Sequence, residues 1–178
     1  MTAIKTHIIF AKHNADANVR LVEILNKMSP DEREKERGSY YGSLSGLARH
    51  ILGGSLFFAG LFKDALAHNA AASKILNGLV SIPYPPKGEL SESQWKDVAA
   101  SIAKADEAVV ALAQSLAEAE LDAAVCLDWY GGSPPSVPLA FMLQQLTAHN
   151  IHHRGQASQI LDELKIENDY SGINISIL

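Results

Sequence analysis

The sequence is short of cysteine, of positive charge and of uninterrupted apolar runs, and each shortage excludes something. One cysteine, Cys126, stands among 178 residues, so no internal disulfide can form. A reducing compartment suits such a chain, and the thiol is expected to be an inert apolar filler. Lys and Arg number 15 against 20 Asp and Glu, a formal net charge of −5. That balance argues against sequence-independent nucleic-acid binding, which needs clustered cations. The apolar stretch Leu44 to Leu66 carries Arg49, His50, Lys63 and Asp64 and is broken by Gly46, Gly53, Gly54 and Gly60. A bilayer span needs about 20 mostly apolar residues, so no membrane partner is expected. No charged segment, apolar run and cleavage site follow one another at the start, and the expected location is cytoplasmic.

What is present is helical periodicity. A first segment, about Ile4 to Met28, repeats apolar and small residues at alternating spacings of four and three and stops at Ser29-Pro30. The mixed charges from Asp31 to Arg37 read as a solvated loop or helix end. A second helix is expected from about Ser43 to Leu66. A long connection follows, with a short helix around Ala70 to Leu79 and a proline-rich loop, Pro83 to Gly88. The third helix starts at the capping-box pair Ser91 and Gln94 and runs to about Leu121. Ala124 to Tyr130 suggests a short extended piece, and Gly131 to Pro135 a turn. The fourth helix opens near Ser136, with Pro138 tolerated in its first turn, and runs to about Leu164. Four segments of about 20–30 residues are matched in length at about 30–45 Å each. The expected architecture is all-α, one four-helix bundle domain over residues 1–178, with a long connection between its second and third helices.

Seven histidines are present, and helical geometry separates them. With about 100° of advance per residue, His153 lies about 40° from His149, and Gln156 about 20° to the other side. Both histidines fall on the stripe of Met142, Leu146, Ile160 and Leu164, whereas His152 drifts to its polar edge. On the second helix His50 shares a face with Leu47, Gly54, Phe57 and Leu61. Three imidazoles therefore point inward from two helices, and an i,i+4 pair lets two rings share one ion. The competing reading makes them core histidines hydrogen-bonded to neighbours. Asn150 stands where a zinc protease helix carries its glutamate base, so that chemistry is excluded. No histidine has a glutamate three residues before it, which excludes a di-iron bundle site. What remains is one divalent ion, with zinc, nickel and iron all compatible with imidazole, and with positions open for water or substrate. Such an ion could lower the pKa of a bound water or thiol.

Of the other residues, Asn18 lies on the core stripe of the first helix and Gln156 one turn beyond His153. Both are candidate pocket residues or supports for a ligating imidazole, with plain hydrogen-bonding roles as the alternative. Arg154 is expected to snorkel or pair at the surface, Trp95, Trp129 and Tyr130 to pack, and His7, His13 and His68 to sit at the surface. No catalytic acid or base can be named.

The segment His149-Asn-Ile-His-His-Arg-Gly-Gln156, with the helix bearing His50 and the pair Asn14 and Asn18, resembles the DinB/YfiT-like family of metal-dependent bundle proteins. The resemblance spans nearly the whole chain in helix order and spacing; the tail from Asn168 to Leu178 has no clear counterpart. It implies an up-down-down-up bundle, a metal on His50, His149 and His153, and a homodimer. It also implies a metal-dependent enzyme acting on a small molecule, either a transferase using a low-molecular-weight thiol or a hydrolase. A non-catalytic metal or small-ligand binding protein of a stress response is the alternative.

Overall fold

The computed structural model describes residues 1–127 and 136–177. The expected packing roles of Trp129 and Tyr130, the turn at 131–135 and the final residue of the tail lie outside the described residues. The chain is mostly helical: α1 (Ala3–Asn26), α2 (Pro30–Glu34), α3 (Leu44–Ala65), α4 (Ala70–Val80), α5 (Glu92–Ser115) and α6 (Leu139–Glu163). Two short strands, β1 (Ala124–Cys126) and β2 (Ser136–Pro138), pair antiparallel with Val125 opposite Val137.

Helix starts follow the capping chemistry of the sequence. Thr2, Ser29, Ser43, Asn69 and Ser91 each accept an amide hydrogen bond from the first turn that follows, satisfying donors that a helix leaves free. Ser91 and Gln94 complete the reciprocal capping box. At α1 a second acceptor arrives from far along the chain: the Glu118 carboxylate takes the amides of Ala3 and Ile4 at 2.9 and 3.3 Å, an anion at the positive end of the helix dipole.

That contact helps explain why α5 is shorter than expected. It ends at Ser115, and the residues up to Leu121 do not continue it; instead Glu118–Asp122 forms a 3-10 turn. Within that turn Glu118 caps α1, and Glu120 accepts from the Ala117 amide and the Asn69 side chain. These bonds compete with continued α-helix. A second correction concerns α6, which opens at Leu139 rather than Ser136. Proline steers the preceding residue to extended backbone, so Val137 joins β2 and Pro138 becomes the residue before the helix. A third concerns the charged run: Pro30–Glu34 is helical, and Arg33 is 1% exposed, bonded to Glu92 at 2.6 Å and stacked over Trp95 at 4.6 Å. Cys126 is exposed and does not fill the core.

Packing places α1 against α5 and α6, and α3 against α5, α6 and α4. Helices α1 and α5 run antiparallel, since Asn26 accepts from the Trp95 indole at one end and Glu118 reaches Ala3 at the other. One continuous core includes Leu21, Leu47, Ile51, Phe62, Trp95, Ile102, Leu146 and Leu161. Burying each large apolar side chain contributes about 1.5–3 kcal/mol. Helix α3 is long and apolar enough to suit a membrane, but 67% of its most apolar window is buried against the other elements, as befits a core helix.

Candidate metal centre

Helices α3 and α6 carry the site, and two glycines on α3 give it room. A methyl group on Gly54 would overlap the His149 ring, and one on Gly46 would overlap the Tyr41 carbonyl. Glycine at these positions lets α6 and the segment before α3 approach the helix backbone. The outcome is a cluster of rings. His50, His149 and His153 have centroids 4.3–4.7 Å apart, and one nitrogen from each lies within 4.8 Å of the others. Tyr41 stacks on His50 at 3.8 Å and meets His153 edge-on at 5.2 Å. The sequence offered no signal for Tyr41, because it is brought in by the close approach over Gly46.

The imidazoles are in the state that a metal requires. Burial first, and then the neighbouring rings, lowers His50 and His149 to about 4 and depresses His153 as well. All three are therefore neutral near pH 7, with ring lone pairs available. His153 Nδ1 donates to Gln156 Oε1 at 2.8 Å, which assigns its lone pair to Nε2 and aims it. The Nε2 atoms of His50 and His149 stand 2.9 Å apart. Beside them His149 Nδ1 and Asn150 Oδ1 are buried without a well-formed hydrogen bond. A proton on His149 Nδ1, the tautomer that leaves its Nε2 free for an ion, supplies the donor that Asn150 lacks, and the asparagine favours the proton on this ring. Donor type, convergence and protonation all fit one divalent ion.

The triad lines a cavity of about 660 Å³ with Tyr41, Phe58, Tyr84 and Pro85, a size that suits a small molecule. A larger groove of about 910 Å³ runs between α4 and α5. Its walls bear Lys74, Lys104 and Glu107 and no imidazole; convergent titratable groups, rather than volume, mark a site.

The structure separates the remaining candidates. Gln156 touches the triad through His153, and His152 is exposed. Asn18 belongs to a second cluster. Its amide nitrogen donates to both oxygens of Asp106 at 3.0 and 3.1 Å, and its oxygen accepts from Arg154 at 2.9 Å. Arg154 also donates to Asn14 at 2.7 Å and is 3% exposed, so the expected surface role is overturned: α1 and α5 close over it. Burial pushes Asp106 up to about 8 and Arg154 down to about 10. His7 and His13 are buried too, inward on α1, whereas His68 is exposed and meets Glu120 at 3.1 Å. Of the second cluster the sequence marks Asn14 and Asn18 as a pair and Arg154 only as a surface residue. The sequence carries no local mark that Asp106 lies opposite them.

Set against known proteins, the chain matches the profile of the DinB family over residues 2–165. No curated protein and no solved structure matches it.

Proposed function

The chain belongs to the DinB family, and on that footing we propose that it binds one divalent metal ion through His50, His149 and His153 and uses it in chemistry on a small molecule. The observation that carries this reading is the convergence of three neutral imidazoles, from two helices, at the wall of a substrate-sized cavity. When bound, the ion would supply Lewis acidity to a coordinated group. Gln156 would hold the His153 ring in its ligating tautomer, Asn150 would do the same for His149, and Tyr41 and Phe58 would shield the centre from bulk water.

The reaction type in this reading is a thiol-dependent transfer, with a low-molecular-weight thiol as cosubstrate, or a hydrolysis. The cavity wall holds no carboxylate among the described residues, so neither reaction has an acidic side chain at hand as base. That same observation favours the second reading, a non-catalytic metal or small-ligand binding protein. The pairwise helix packing supports a single-domain four-helix bundle in the up-down-down-up arrangement. We further propose a cytoplasmic homodimer that binds neither nucleic acid nor membrane.

Elemental analysis tests the metal. Native protein should carry one zinc, nickel or iron per chain, and His50→Ala should lose it while remaining folded. A metal-free native protein, or a variant with unchanged content, removes the proposal. Turnover in a panel of thiol-conjugation and ester substrates, abolished by chelator, would decide for the enzyme over the binding protein.

A further inference from the structure

Acidic residues outnumber basic ones in this chain, which has a net charge of −5. The histidine cavity departs from that average: its wall holds two cations, Arg49 and Lys87, and among the described residues no Asp or Glu. Neither cation has a carboxylate within ion-pair distance among the described residues, so the charge of both is left without a counter-ion from the protein. Arg49 is also fixed in place. Its Nη1 donates to the carbonyls of Pro86 at 2.8 Å and Gly88 at 2.6 Å. These neutral acceptors orient the guanidinium without cancelling its charge, and they tie down the Pro86–Gly88 segment that carries Lys87. The Nε–Nη2 edge keeps the parallel donor pair that matches a carboxylate. The same wall is otherwise largely apolar, with Tyr41, Phe58, Tyr84 and Pro85 among its residues alongside the imidazoles.

Resting on the reading of this cavity as a small-molecule site, we propose that its ligand is an organic carboxylate with an apolar or aromatic body. The acid group lies against Arg49 and Lys87, and the body lies across the aromatic wall toward the histidines. Two cations on a concave wall, neither offset by a carboxylate, raise the local concentration of anions and discriminate against neutral molecules of the same shape.

Calorimetric titration of metal-free protein tests this without help from an ion. Phenylacetate should bind at least about tenfold more tightly than phenylacetamide, its neutral counterpart. It should also bind more tightly than acetate, which lacks the body. Lys87→Gln, an exposed change that the fold tolerates, should reduce the acid-over-amide preference several-fold, and Arg49→Gln should abolish it. Equal binding of acid and amide, absence of binding by phenylacetate and 4-phenylbutyrate at millimolar concentration, or a preference intact in both variants overturns the proposal. Metal content read in parallel keeps the two questions apart. A chain that loads metal but ignores the acid group refutes the carboxylate alone; a chain that prefers the acid but loads no metal refutes the metal alone.

Discussion

His153 and Arg154 are neighbours on α6, yet they face two interiors that treat buried polarity in opposite ways. Around Arg154 the network closes. Asn14, Asn18 and Asp106 take up its donors and one another's, and none of the buried side-chain atoms in this group lacks a partner. Around His153 three rings crowd together instead, with the Nε2 atoms of His50 and His149 facing each other at 2.9 Å and one nitrogen of each ring within 4.8 Å of the others. A satisfied network is consumed by the fold and has nothing left for a ligand. Desolvated imidazole lone pairs turned toward one another cost free energy, which an ion held at their centre would recover. Burial alone would not distinguish the clusters; satisfaction does.

The contrast can be broken experimentally. The largest effect belongs to the closed side: Arg154→Met leaves the Asn14 and Asn18 oxygens buried without their donor and should cost about 2–5 kcal/mol in urea unfolding. The metal affinity of the folded fraction should change little. A loss under about 1 kcal/mol would erase the distinction. On the open side His149→Ala should weaken metal binding by more than about 100-fold, beyond the range typical of groups that only orient a ligand. Its unfolding midpoint in metal-free protein should hardly move, and a large drop there would recast the ring as a core residue. Gln156→Ala should weaken metal binding by about 10–100-fold, read by competition with a chromophoric chelator.

The subtlest test is pH. His50 and His149 titrate at about 4 when folded and near 6.5 when unfolded. The unfolded chain therefore binds more protons between those values, and stability falls as pH drops through that window. Asp106 is the reverse case, with a folded value of about 8 against about 3.9 unfolded. Its contribution is full below the unfolded value and is lost as pH rises toward 8. Thermal midpoints across pH should fall on both sides for the metal-free protein. Because its window overlaps that of the histidines, Asp106→Asn should flatten the alkaline side and steepen the acid side, and an unchanged alkaline side would remove Asp106 as its cause.

Much of this was readable in the chain itself, for reasons that are local. Ser91 with Gln94 and Ser29 with Pro30 mark helix ends by chemistry within one turn. The inward faces of His50, His149 and His153 follow from a fixed angle per residue. Other features depend on partners far away in sequence. Arg154 reads as a surface residue until Asn14 and Asn18 come across from 140 and 136 positions away. Glu118 ends the third long helix by capping the first, and Val137 prefers a strand because Val125 is there to pair with it. Tyr41 reaches the histidines only because Gly46 has no side chain.

The glycines of α3 also set how this cavity can change. Gly46 and Gly54 are locked, since a single added carbon at either meets backbone or ring. Gly53 differs: its nearest neighbour would be the Tyr84 ring at 3.9 Å, an ordinary contact. Alanine there would trim the chamber without disturbing a histidine, and it is a better helix former. Selection, natural or in the laboratory, thus has one inexpensive position from which to resize the chamber and so to sort ligands by bulk.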